Sequence, residues 1–82
     1  MSTSIRTSKD LARAVRAARR ERGLTQDSLA LASGTGRRFI VDLESGKPTV
    51  RLDSVLAVVA ALDLRVELAP DVLARGGPDA GA

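Results

Sequence analysis

Two short apolar-periodic segments separated by Ser33-Gly34-Thr35-Gly36 constrain this chain more than any other feature. Thr25 supplies a cap signal for the first, which carries Leu29-Ala30-Leu31-Ala32, and the second runs from Arg37 to Glu44 and stops at Gly46. The spacing predicts helix, tight turn, helix. Gly34 can take the positive φ that such a turn requires, and Ala30 is small enough for two helices to cross closely. On the second helix Ile40 and Leu43 fall on the inward face, so Arg37, Arg38, Val41 and Asp42 fall on the outward one.

That outward face has the chemistry of a base reader. A guanidinium donates two hydrogen bonds to the O6 and N7 edge of guanine, and two arginines at the exposed start of a short helix suit a major groove. Asp42, one turn beyond Arg38, can orient that guanidinium or accept from a cytosine N4 amine. Arg37, Arg38 and Asp42 are therefore the candidate base-reading residues. The plainer alternative for Arg38 and Asp42 is a surface ion pair. Phe39, the only aromatic residue, reads first as core and second as a thymine-methyl contact.

Charge distribution agrees with a polyanionic partner. From Arg6 to Arg51 there are 11 Lys and Arg against 5 Asp and Glu, a balance of +6, whereas Leu52 to Ala82 holds 2 against 5, a balance of −3. The basic part contains the two-helix unit, as phosphate neutralisation requires. Without cysteine or histidine, the chain has no disulfide framework, no thiolate or imidazole metal ligand and no imidazole base, so metal, cofactor and enzyme readings find no support. No apolar run is long enough to span a bilayer, and the first residues lack the apolar core of a signal peptide. The expectation is a cytoplasmic protein with no membrane partner.

The residues of the two-helix unit resemble the Xre, or phage-repressor-like, helix-turn-helix family. Its pattern is Gln, Ala four on, Gly eight on, and apolar residues fourteen and seventeen on, which here are Gln26, Ala30, Gly34, Ile40 and Leu43. Leu24-Thr25-Gln26 before it and Leu43-Glu44-Ser45-Gly46-Lys47-Pro48 after it agree as well. The resemblance covers about three quarters of the chain. Two positions depart from the pattern: Thr35 stands where the family has an aliphatic residue, and Gly36, where it has Ser or Thr, offers no side-chain cap. The resemblance implies an ion pair between Arg19 and Glu44, joining the first helix to the recognition helix. It also implies DNA-backbone contacts from Thr25 and Gln26 at the start of the second helix, from Gly36, and from Lys47, Thr49 and Arg51 in the following loop. Capping alone also explains Thr25, and an ordinary basic loop also explains Lys47 and Arg51.

The rest of the chain frames this unit. Residues 1–7 have no periodicity and read as a flexible N-terminus. The first helix is expected from a Thr7 or Ser8 cap to a stop before Gly23, with Leu11, Ala14, Val15, Ala18 and Arg22 on one face. Arg13, Arg16 and Arg20 point elsewhere, and for them a solvated surface and a phosphate-facing role stand equally open. A fourth helix, 52–62, is apolar nearly all round. Leu52, Val55, Leu56, Val59 and Leu62 are assigned to the core, and Val58 and Ala61 to a face covered by a second subunit. After Asp63 the period becomes two: Leu64, Val66 and Leu68 alternate with Arg65 and Glu67 up to Pro70. A lone strand needs a partner, and its own copy across a two-fold axis is the economical one. The dimer-interface assignment is thus Val58, Ala61, Leu64, Arg65, Val66, Glu67 and Leu68.

The expected fold is mainly α: a lambda repressor-like helix-turn-helix domain, residues 8–69, of four to five helices with one C-terminal strand pairing across a homodimer. Residues 70–82, with Val72 and Leu73 as their large apolar side chains, read as a flexible tail. The expected function is a dimeric, sequence-specific repressor of a palindromic double-stranded operator. A late strand in an Xre-like domain is similar to HipB-type antitoxins, which implies a toxin–antitoxin operon and a HipA-like kinase toxin as partner. The alternatives are a general Xre-family regulator without a toxin and a protein-only toxin-neutralising module.

Overall fold

A computed structural model describes residues 2–71. They form four helices: α1 (Ser8–Glu21), α2 (Gln26–Ser33), α3 (Arg37–Ser45) and α4 (Leu52–Ala61). The caps explain the boundaries. Thr7 and Thr25 accept from the backbone N–H of Asp10 and Ser28, each closing the first turn of its helix. At the Asp10 turn, the Arg6 N–H also donates to the carboxylate at 3.0 Å, and this bond more than any other holds its pKa below the usual value. Every helix then ends with a residue in the left-handed region: Gly23, Gly34, Gly46 and Asp63. At Gly34 and Gly46 the next residue's N–H reaches back to Ala30 and Asp42 carbonyls, a 6→1 closure that turns the chain sharply between elements.

The core is one cluster. Leu29, Ile40, Leu43, Val58 and Leu62 have 2% exposure or less, with Val15, Ala30, Val55 and Val59 around them. Helix α3 packs against both α1 and α2, while α4 closes the other side of α2. Each fully buried aliphatic contributes roughly 1.5–3 kcal/mol of transfer free energy. The two-helix unit is thereby clamped through Ile40 and Leu43, and the opposite face of α3 stays outside.

Helix α4 is rotated relative to expectation. Val58 is wholly buried within the chain, so it has no surface to give to a second subunit, and the dimer assignment made for it is corrected. Conversely, Leu52 and Leu56, expected in the core, are 70% and 45% exposed. The stripe that packs inward is Val55-Val58-Val59-Leu62, at i, i+3, i+4 and i+7. A helix apolar on nearly every side gives no periodicity to fix its rotation, and Leu52 in the first turn projects past the end of the core. Arg22, expected on the inward face of α1, lies past the helix end and pairs with Asp63 at 3.1 Å.

Among the described residues there are four helices and no strand. Residues 64–70 carry no regular structure, with Leu64, Val66 and Leu68 at 50%, 58% and 100% exposure. A strand requires a neighbour to accept its hydrogen bonds, and no second strand stands among the described residues to supply it. The segment runs back along α1, from Leu64 beside Ala18 and Arg22 to Asp71, which pairs with Arg6. Arg65 and Glu67, both assigned to the dimer interface, pair with each other within the chain at 2.8 Å. Expectations for Val72, Leu73 and the remainder of the tail lie outside the described residues.

Candidate nucleic-acid interface

The orientation of α3 rests on a buried ion pair. Arg19 Nε donates to Glu44 Oε2 at 2.7 Å and Nη2 to Oε1 at 2.9 Å, a bidentate arrangement with side chains 11% and 4% exposed. Arg19 Nη1 also donates to the Leu24 carbonyl at 2.8 Å, and Gln26 Nε2 donates to Glu44 Oε1 at 3.3 Å. The carboxylate on α3 thus ties the end of α1 to the start of α2, and Arg19 extends the tie to the α1–α2 turn. Hydrogen bonding to Glu44 is the main cause that raises the Arg19 pKa above its ordinary value. The Gln26 bond has no counterpart in the sequence pattern, since residues 18 apart carry no spacing signal.

With its inner face fixed, α3 presents its first turn outward. The Arg37 and Arg38 side chains are 68% and 88% exposed. Arg37 Nε lies 3.2 Å from Asp27 Oδ1 on α2, and Arg38 Nε lies 3.4 Å from Asp42 Oδ1 one turn away. Asp42 is 23% exposed and also meets Lys47 Nζ at 3.6 Å, so it holds two cations at once. Val41, 37% exposed, is an apolar point between them on the same helix face. Phe39 packs against the core.

An open groove of about 610 Å³ crosses this surface. Thr25, Gln26, Arg37 and Val41 line it together with Arg16 and Arg20 of α1. Thr25 keeps its hydroxyl on the Ser28 N–H at 3.0 Å, so capping and outward exposure coexist. Gly36 caps α3 without a side-chain bond, leaving the first-turn N–H groups of α3 to be satisfied from outside the chain. In the following loop Lys47, Thr49 and Arg51 are exposed. Arg51 is engaged by Asp53 at 2.7 Å, and this hydrogen bond is the main cause lowering the Asp53 pKa. Among the described residues no group of His, Cys, Asp or Glu has metal-ligand spacing, and no helix is long and apolar enough to cross a membrane.

A family model, HTH_3 (helix-turn-helix), matches residues 15–68. The chain is 45% identical over 76 residues, 93% of its length and 95% of the relative's, to an uncharacterised HTH-type transcriptional regulator, y4mF, of Sinorhizobium fredii. Among solved structures, a HipB-O4 20mer complex and a HipA-HipB-O2-O3 complex each match with TM-score 0.79 at 24% identity, over 85% of this chain and 99% of theirs. A HipB-O1-O2 complex matches with TM-score 0.77 at 25% identity, over 84% of this chain and 100% of that one.

Proposed function

This chain belongs to the helix-turn-helix family of Xre type, a transcriptional regulator by relationship, and from that premise we propose that it is a sequence-specific repressor acting as a homodimer on a palindromic operator. The observation that carries the reading is the split of α3. Ile40 and Leu43 are sealed in the core while Arg37 and Arg38 project from its first turn. In this reading both arginines donate to guanine edges, Asp42 steers Arg38, and Val41 meets a thymine methyl. Thr25, Gln26, Gly36, Lys47, Thr49 and Arg51 hold the sugar-phosphate backbone on either side.

Phosphate competes well for Lys47 and Arg51. Arg51 and Asp53 form an exposed pair of the kind that contributes about 0–1 kcal/mol, and Lys47 shares the half-buried Asp42 with Arg38 at a longer 3.6 Å. Lys47→Ala or Arg51→Ala is expected to weaken binding to all duplexes alike. Each should flatten the slope of log affinity against log salt by about one unit per subunit. Fluorescence anisotropy across a salt series measures this, and unchanged slopes would return both residues to ordinary solvated surface.

The dimer reading rests on apolar side chains left exposed among the described residues: Leu52 and Leu56 on α4, then Leu64, Val66 and Leu68. Pairing of residues 64–68 with their own copy would satisfy the backbone and cover these side chains, and the two α3 helices would then enter successive major grooves about 34 Å apart. Sedimentation equilibrium is expected to give a dimer at micromolar concentration and a monomer for Val66→Asp. A monomeric parent protein would remove the two-fold operator from the proposal.

The likeness to HipB, one form of which is solved as a HipA-HipB-O2-O3 complex, supports an antitoxin role with a HipA-like kinase as partner. A kinase-like gene beside the coding sequence separates this from a general regulator.

A further inference from the structure

Three cations of the described residues stand outside any ion pair, and two of them, Arg16 and Arg20, line the groove beside α3. Arg6, Arg13, Arg19, Arg22, Arg37, Arg38, Lys47, Arg51 and Arg65 each lie in an ion pair, whereas Arg16, Arg20 and Lys9 have no carboxylate partner among the described residues. Arg16 and Arg20 stand four apart on α1, a spacing at which like charges repel and weaken the helix. Arg20 gains some compensation from the negative helix end, and Arg16 in mid-helix gains none. Arg13, equivalent to them by sequence pattern, is occupied by Asp10.

Both unpaired arginines line the same groove as Thr25, Gln26, Arg37 and Val41. The start of α2, with its outward N–H dipoles, opens into that groove as well. Asp27 and Glu44 line the channel too, but Arg37 and Arg19 already occupy them, so the channel keeps a positive excess and the Arg16–Arg20 repulsion meets no carboxylate among the described residues. A polyanion laid along the channel relieves it.

We propose that Arg16 and Arg20 bind backbone phosphates of the duplex, extending the DNA-binding surface from the start of α2 onto the middle of α1. The inference rests on the DNA-binding reading and adds a phosphate-binding ridge to it. Because the ridge touches no base edge, it acts on affinity and salt dependence and leaves sequence discrimination alone.

The test uses the full chain with two duplexes, one carrying its own upstream region and one of scrambled sequence. Arg16→Ala/Arg20→Ala is expected to lower affinity for both duplexes by the same factor and to reduce the salt slope by about one unit per arginine in each subunit. Arg16→Lys/Arg20→Lys, which keeps the charge, is expected to retain the slope. Melting temperature should stay level or rise in the alanine variant, since exposed repulsion is removed. If affinity and slope are unchanged while Arg37→Ala/Arg38→Ala still erases discrimination, the ridge is wrong and the DNA-binding reading survives. If the parent protein binds neither duplex, both fall.

Discussion

Replacing Arg37 and Arg38 together with alanine is expected to abolish discrimination between the operator and scrambled DNA while leaving the fold intact. Each bidentate guanine contact discriminates by about 1–3 kcal/mol, or from roughly fivefold to more than a hundredfold, and a dimer carries each one twice. The fold should survive because the two side chains are 68% and 88% exposed, and their pairs with Asp27 and Asp42 are surface pairs of small worth. Loss of two charges also weakens nonspecific binding, so affinity alone is ambiguous. The informative quantity is the ratio of operator to scrambled affinity, measured at one fixed salt concentration. It should collapse for this variant and hold for Lys47→Ala and Arg51→Ala, whose proposed contacts are to the backbone. A ratio unmoved by removal of both arginines would leave α3 without a reading role and would favour a module that only binds protein.

The helix-turn-helix was legible because each of its boundaries carries local chemistry. Thr25 caps, Gly34 and Gly46 take the left-handed conformation, and Ile40 and Leu43 fall one turn apart, so the segment read from Arg37 to Glu44 lies within one residue of α3 at Arg37–Ser45. Where spacing had nothing to grip, expectation and structure part. In α4 nearly every residue is apolar, and the choice between burying Val58 and burying Leu52 and Leu56 is made by how α4 meets α2, a tertiary fact. The alternation from Leu64 to Leu68 marks residues suited to a strand, but strand formation depends on a second backbone to bond with, and the described residues hold none in strand form. At the interface the outward residues of α3 were legible from periodicity. Gln26 on Glu44, Arg37 on Asp27 and Lys47 on Asp42 were not, because each joins residues that only the fold brings together. The same holds for the groove that sets Arg16 and Arg20 beside Thr25 and Gln26.

Glu44→Ala is expected to cost more stability than any exposed substitution, about 3–5 kcal/mol, because it strands the Arg19 guanidinium in a site where only 11% of the side chain meets water. Against a total of roughly 5–15 kcal/mol for a domain, a loss of that size brings an 82-residue chain close to its unfolding midpoint. Thermal melting followed by circular dichroism should fall by at least about 12 °C, at about 4–8 °C per kcal/mol for a domain of this size. The loss is asymmetric. Removing both partners with apolar replacements of similar volume, Arg19→Met/Glu44→Leu, leaves no uncompensated charge, and that variant should recover much of the melting temperature. What it should not recover is DNA discrimination, since Glu44 joins α3 to α1 through Arg19 and to α2 through Gln26, and apolar packing fixes the angle of a helix less sharply than a bidentate pair. Recovery of stability without recovery of discrimination assigns the pair to orienting α3. Recovery of both would make it a packing element only, and a single variant Glu44→Ala that melts like the parent would mean that Arg19 finds water or another acceptor once the carboxylate is gone.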